Sequence, residues 1–262
     1  MRQAKINSKQ SPILRKKTND SLVRLSKRMS ELSICSRREA DEYISQGMVK
    51  VNGEIINELG TKIHPDDKIE LLKAARSQQS QKLSILLHKP VGYVSHKTED
   101  DYPTATSLLK NSSQSDFSPF GPKLNRDNTY GLAPVGRLDI DSRGLMLFTQ
   151  DGRLAKYVIG EDSDVEKEYE VTVDSKMNLT QIQKLKFGLE LDGKLLKRAK
   201  VSPINDHSFR MTLTEGRKRQ IRRMCELVGL NVVSLKRTRI GKIHLGHLKE
   251  GEWRYLKKNE LP

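Results

Sequence analysis

Residues 73–82, KAARSQQSQK, interrupt the hydrophobic patterning of this chain with ten positions that are charged, polar or alanine, none of them β-branched. A stretch with so little apolar surface has little to offer a shared core, so the chain is expected to fold around two separate ones. The resulting plan is a basic flexible arm at 1–22, a compact block at 23–72, a linker at 73–82 and a larger domain at 83–262. The arm is polar and lacks any apolar period.

Within 23–72 the local signals agree with one another. Leu25, Met29 and Leu32 sit at helical spacing, and Ser36-Arg37-Arg38-Glu39 matches a capping box that opens a second helix over 36–46. Ala40, Tyr43 and Ile44 continue its apolar stripe, and Gly47 supplies a stop. In VKVNGEII two short alternating runs flank Asn52-Gly53, the strongest two-residue hairpin signal. Pro65-Asp66-Asp67 then turns the chain into a strand at KIELL.

Residues 83–262 mix alternating runs (SILLHK, GYVSH, LMLF, EYEVTV, FRMTL, NVVSLKR) with two helical patterns, RLAKYVIG and a helix over 217–228 in RKRQIRRMCELVG. Strands outnumber helices and no helix recurs regularly between them. The expectation is an α+β domain with a mainly antiparallel sheet. Residues 96–130 are rich in Ser, Asp and Pro and read as a long loop, either a flexible surface insertion or a functional arm.

The charge bears on partners. Against 33 acidic residues stand 48 basic ones, a net +15 with a pI near 9.7. An excess of this size suits a polyanion, because each cation that neutralises a phosphate releases counterions. Charge alone does not separate RNA, DNA and an acidic membrane surface. No run approaches the roughly 20 apolar residues that span a bilayer, so no membrane role is expected. The N-terminus lacks the apolar core of a secretion signal, although its basic character leaves an organelle transit peptide open. Cys35 and Cys225 supply neither a CxxC metal site nor a disulfide framework, which fits a reducing cytoplasm.

Four constellations are able to carry chemistry. Arg37 and Arg38 occupy a first helical turn, where cations oppose the helix dipole at a cost of about 0.3–1 kcal/mol each. Free amides and two arginines at a helix start suit phosphate, and with Arg24, Lys27 and Lys50 they form a candidate RNA-binding surface; two solvated arginines are the plainer reading. GRLDIDSRGLMLFTQDG, at 136–152, sets Asp139 beside Arg137 ahead of a glycine-limited turn. A carboxylate is a usable nucleophile where a neighbouring charge keeps it ionised. Alone, Asp139 and Asp141 equally suit turn formation, while a calcium loop is disfavoured by Arg143 and Gln150 standing where oxygen ligands belong. In EKEYEVTVD, Tyr169 shares a strand face with Val171 and Val173, and by itself reads as a core aromatic. In the fourth, Ile221, Met224, Cys225 and Val228 form a core stripe, while Arg217, Lys218, Arg219, Arg222 and Arg223 crowd positive charge that calls for a polyanion or a buried carboxylate.

The stretch SICSRREADEYISQGMVKVNG closely resembles the S4 RNA-binding domain, which implies docking on structured RNA through shape and backbone. GRLD, EKEYEVTV and RQIRRMCE, in this order and with KPVGYVS at 89–95, resemble the pseudouridine synthases of the RsuA/RluB/RluE/RluF group, nearest the RluF type. The similarity runs over 23–262 apart from 96–130, which is longer than usual there. The resemblance implies isomerisation of uridine to pseudouridine, without cofactor or metal, in a flipped-out nucleotide. It implies Asp139 as nucleophile and Arg137 as the arginine that replaces the flipped base in its stack. Tyr169 would lie under the uracil and assist proton removal, Arg222 would pair with the nucleophile, and Ile221 would touch the base. Arg219 and Arg223 are read as further substrate-binding cations. Attack at the sugar, attack at the uracil and a glycal route all stay open.

The implied substrate is RNA, with large-subunit ribosomal RNA first and small-subunit ribosomal RNA or a transfer RNA stem-loop after it, modified by a cytoplasmic monomer. A non-catalytic assembly factor with an S4 domain explains the charge and 23–72 equally well, but leaves Asp139, Tyr169 and Arg222 without a reason to occur together. A DNA-binding regulator ranks last, since helix 217–228 turns its apolar face to a core.

Overall fold

The computed structural model describes residues 22–96 and 101–261. The arm read at 1–22 therefore lies, but for Leu22, outside the described residues, as do positions 97–100 of the long loop. The chain divides between Ala75 and Arg76 into two compact units.

The first unit runs β1 (Val23–Arg24), α1 (Leu25–Glu31), α2 (Arg37–Ser45), β2 (Val49–Val51), β3 (Glu54–Ile56), β4 (Lys62–Ile63) and β5 (Ile69–Leu71). The capping box forms as expected: Ser36 Oγ accepts from the Glu39 amide at 3.3 Å, and Glu39 Oε2 accepts from the Ser36 amide at 2.7 Å. Asn52 and Gly53 take φ of +51° and +92°, the backbone that a two-residue hairpin between β2 and β3 requires. The Asn52 side chain also clamps the 65–67 turn, donating to Asp67 and accepting from the Lys68 amide. Leu25, Met29, Ala40, Tyr43, Ile44 and Val49 close a small core.

Residues 73–80, expected as linker, are instead a helix, α3 (Lys73–Ser80). Its sequence is polar enough to mislead, yet its residues are good helix formers, and Ala75 is fully buried in the first unit's core. One small apolar residue is all that anchors it there.

The second unit contains β6 (Ser84–Lys89), β7 (Ala133–Val135), β8 (Arg143–Thr149), α4 (Gly152–Ile159), β9 (Lys167–Val173), α5 (Leu179–Lys186), β10 (Glu190–Leu191), β11 (Lys194–Leu195), β12 (Lys200–Asn205), β13 (Ser208–Leu213), α6 (Gln220–Leu227), β14 (Val232–Ile240), β15 (Ile243–His244) and β16 (Trp253–Tyr255). Its main sheet has the order β12-β13-β9-β14-β8-β6-β16, with β7 on β8 and β15 on β14. Every pairing is antiparallel except β14 with β8, so the unit is α+β with a mixed, mainly antiparallel sheet.

The continuous apolar runs of β6 and β8 follow from burial on both faces. Leu86, Leu145 and Leu147 face α4, while Ile85, Leu87, Met146 and Phe148 pack with Ala105, Leu124 and Trp253. The long segment at 101–130 is thus neither a loose insertion nor a free arm. It lids that second face and binds the edge strand: Trp253 Nε1 donates to Lys110 O at 2.7 Å, Ser115 N to Trp253 O at 2.9 Å, and Tyr255 Oη to Pro122 O at 2.6 Å. Gly121 is required there, because a Cβ would lie 2.3 Å from the Tyr255 ring. GYVSH is no strand; Val94 makes only an isolated bridge to Thr104. The helix expected over 217–228 begins at Gln220, because Arg219 turns left-handed with φ of +51°.

Candidate active site

One row of residues crosses the sheet beneath the candidate site. Lys89 of β6 pairs with Gly144 of β8, Gly144 with Arg237 of β14, and Arg237 with Tyr169 of β9. Register partners share a face, so the glycine leaves a gap between two long cations. Only glycine fits: a Cβ at 144 would lie 2.3 Å from Arg237 O, and φ there is +111°. Leu213, Lys167, Tyr169, Leu235, Arg237 and Ile240 form the floor of a cavity of about 600 Å³. Its walls are the 135–139 segment, the end of α4 and the approach to α6.

Asp139 stands in that wall, half-buried, on a backbone held at nearly every peptide. Arg237 Nη1 donates to Arg137 O at 3.2 Å. Buried Ser95 donates to Leu138 O at 2.7 Å and accepts from Leu138 N at 2.9 Å. The Gly92 amide donates to Ile140 O, and the Ser142 amide closes a turn on Asp139 O. Arg222 Nη2 donates to Asp141 O at 2.9 Å. Among the described residues, by contrast, the Asp139 carboxylate itself makes no hydrogen bond or ion pair. A fixed backbone carrying an uncommitted carboxylate into a cavity is preorganised for an incoming partner.

The implied pairing of Arg222 with Asp139 is corrected by this geometry. Arg222 is buried, donates to Val232 O and Asp141 O, and lies 3.2 Å from the Asp141 carboxylate, which Arg219 also binds at 2.9 Å. The two aspartates lie two positions apart, and the turn that Ser142 closes presents the second of them to α6. Arg222 therefore grips the turn and does not line the cavity. Arg223 is likewise elsewhere, held by both oxygens of Asp192 at 2.6 and 3.0 Å, which pulls the Asp192 carboxyl below its ordinary value. Asp139, Arg137, Tyr169, Ile221 and Arg219 do line the one cavity.

Three residues in or beside the cavity are not assigned to it by the sequence: Lys89 and Lys167, which carry no signal of their own, and Arg237, which reads with Lys236 and Arg239 as basic surface but is buried. Lys89 is fully buried, and its ammonium donates to Pro90 O and Tyr93 O. Burial first, and then Arg237, push its pKa down to about 8, with Asp139 and Asp141 opposing. Lys167 is lowered by the same two causes in the same order. Arg237 is 3% exposed. Only the KPVGYVS motif hinted at this group, by placing Lys89, Gly92 and Ser95 in one segment.

In the first unit, Arg24, Arg37 and Arg38 are exposed, Lys27 pairs loosely with Glu31 at 3.6 Å, and Lys50 is half-buried. Among the described residues no group of three His, Cys, Asp or Glu is arranged to hold a metal, and no helix is long and apolar enough to cross a membrane. His244 and His247 are both exposed. Cys35 and Cys225 are buried free thiols, and burial pushes Cys225 up to about 12.

Comparison with known proteins shows the family. Residues 83–227 match the RNA pseudouridylate synthase family, and residues 23–69 match the S4 domain. The dual-specificity RNA pseudouridine synthase RluF of Escherichia coli K12 is 37% identical over 92% of this chain and 78% of its own. The ribosomal large subunit pseudouridine synthase B of Bacillus subtilis is 32% identical over 92% of this chain and 94% of its own. A crystal structure of a pseudouridylate synthase superposes with a TM-score of 0.61 at 28% identity, covering 91% of this chain and 97% of that one. An uncommitted aspartate in a cation-floored cavity, in a unit that follows an S4 unit in the sequence, is thus found in a chain that belongs to the RNA pseudouridylate synthases, in their S4-bearing RsuA/RluB/RluE/RluF group.

Proposed function

We propose that this enzyme isomerises uridine in large-subunit ribosomal RNA, with Asp139 as its nucleophile. The carrying observation is the Asp139 carboxylate, uncommitted on a backbone pinned from 137 to 142. The target nucleotide leaves its stack at a cost of a few kcal/mol. Exposed Arg137 fills the vacated position, since a planar guanidinium stacks where a base had been. Tyr169 and Ile221 then close on the two sides of the uracil, and Asp139 engages the sugar or ring as the N1–C1′ bond breaks. Arg222 and Arg219 act as positioning residues through Asp141, holding the turn that carries Asp139. Arg223, tied to Asp192, has no part in the pocket.

The choice of ribosomal RNA rests on the ribosomal large subunit activity for which the Bacillus subtilis relative is named and on the +15 charge. Arg24, Lys27, Arg37, Arg38 and Lys50 supply the backbone contacts on the S4 unit. The enzyme works as a cytoplasmic monomer without metal or membrane. Pseudouridine mapping by carbodiimide-blocked primer extension, on RNA from cells with and without the gene, tests this. Loss of one or a few large-subunit stops, restored by wild type and not by Asp139→Asn, is the expected result. Stops lost from small-subunit or transfer RNA move the substrate, and unchanged maps overturn the assignment.

A further inference from the structure

Arg237 is buried with one guanidinium nitrogen unaccounted for. Its Nε donates to Leu145 O at 2.7 Å and its Nη1 to Arg137 O at 3.2 Å, which fixes the plane of the group. Nη2 is shielded from solvent and has no hydrogen-bond partner. Beside it on the cavity floor is Lys167, whose ammonium makes a single contact, to Val165 O at 3.2 Å. Arg237 acts electrostatically on both Lys89 and Lys167, and burial further disfavours the charge on each lysine. Such crowding of buried like charge is unfavourable unless an anion comes to it. Asp139 is one anion, but its carboxylate pairs with none of the three cations.

We propose that Arg237, backed by Lys167, is the anion-holding floor of the cavity, receiving the carbonyl oxygens of the target uracil and retaining the base as its anion while the ring turns. The inference rests on Asp139 acting as proposed above. As N1–C1′ breaks, its electron pair stays with the base, spread over the ring and its carbonyl oxygens. C1′ is meanwhile satisfied by the Asp139 carboxylate, or by loss of the C2′ proton to give a glycal. After rotation C5 bonds to C1′ as the Asp139 carboxylate leaves, or as C2′ of the glycal regains its proton; C5 then gives up its proton and N1 takes one, so nothing is gained or lost overall. The free anion is the species of highest charge on this path. Preorganised donors that meet charge only as it develops raise the rate without tightening the ground state. A backbone phosphate is the competing anion, but phosphates lie at the RNA surface, where exposed Arg137 and Lys218 wait.

The test compares Arg237→Gln, Arg237→Lys and Lys167→Met in the full-length enzyme. Each is assayed under single-turnover conditions for cleavage of the N1–C1′ bond, on substrate RNA carrying uridine or 5-fluorouridine; the fluorinated base is the more stable anion, and because its C5 has no proton to release, its rearranged ring takes up water at C6. Arg237→Gln is expected to slow conversion of uridine by about 10²–10³-fold, and Arg237→Lys by less. Lys167→Met, which gives up one backbone contact and so keeps the fold, is expected to slow it more than threefold. All three penalties should shrink on 5-fluorouridine, with RNA affinity and its salt dependence unchanged. A purely structural role slows both bases alike and overturns the proposal. A salt slope reduced by about one assigns Arg237 to a phosphate and overturns it too, as does wild-type speed in Lys167→Met. Asp139→Asn, which stops both bases, separates failure of this proposal from failure of the nucleophile assignment.

Discussion

Replacing Arg222 by Met removes its grip on the turn that carries Asp139 while keeping most of the side-chain volume. Three polar contacts are lost, and the carbonyls of Val232 and Asp141 are left without this donor. At about 1–3 kcal/mol for each of the two orphaned, part-buried carbonyls, the synthase unit loses roughly 2–6 kcal/mol, or about 4–24 °C in Tm. The ion pair with Asp141 adds little, since that carboxylate is 39% exposed and such pairs contribute about 0–1 kcal/mol. Trp253, the single tryptophan and fully buried in this unit, reports its unfolding in urea without interference from the S4 unit. In a double-mutant cycle Arg222 and Asp141→Asn should couple by about 0.5–1 kcal/mol, whereas Arg222 and Asp139→Asn should add to within about 0.3 kcal/mol. Single-turnover rates should fall on the order of 10²-fold, because a loosened turn misplaces Asp139 by a fraction of its reach. Coupling to Asp139 with none to Asp141 would refute the assignment of Arg222 as a grip on the turn.

Gly144→Ala should both destabilise the fold and stop the reaction, since its Cβ meets the Arg237 backbone at 2.3 Å in a left-handed conformation; strain of about 1–3 kcal/mol and overpacking of similar size are additive to first order, and Trp253 fluorescence in urea measures them. Lys89 titrates near 8 in the folded protein against an ordinary 10.5, so between those values the unfolded chain binds more protons and stability rises with pH. Lys167, lowered as well, adds to that rise and buried Cys225, raised to about 12, opposes it, so the change in urea midpoint from pH 7.5 to 9.5 should be more positive in wild type than in Lys89→Met. Arg37→Ala with Arg38→Ala should lower the salt slope of RNA binding by about 1–2 and leave the single-turnover rate at saturating RNA unchanged; an unaltered slope removes helix α2 from the RNA interface.

What could be read from the sequence was what is decided within a few residues. The capping box at Ser36 and Glu39 and the Asn52-Gly53 hairpin are each settled by their own backbone chemistry, and both formed as read. The same kind of signal at Asn178 and Gln181 caps α5 and went unread, because LTQIQKLK offers only a thin apolar stripe behind it. The α3 helix was missed because Ala75 alone ties it to a core. The cavity floor was beyond reach for a different reason. Arg237 and Tyr169 of the floor, and Lys89 and Gly144 in the row beside them, become neighbours through strand register, which no local pattern encodes. Between Asp139 and Asp141, too, the sequence offers no ground for deciding which one α6 will meet. The lid at 101–130 was misread because its hold on Trp253 and Tyr255 runs largely through backbone carbonyls, which polar residues supply as well as any others.

The parallel seam between β8 and β14 also sets an order of events in the life of the chain. Arg237 reaches back 92 positions to Leu145 and 100 to Arg137. Contacts of such long range form late and after local ones. On the ribosome the S4 unit emerges and closes first, and a chain halted before β14 already carries Asp139 and Tyr169 but lacks Leu235, Arg237 and Ile240 of the cavity floor and the grip of Arg237 on Arg137 O. Such a nascent chain can hold RNA without altering it. Recognition thus matures ahead of chemistry, and the last strands made are what switch a binding protein into an enzyme.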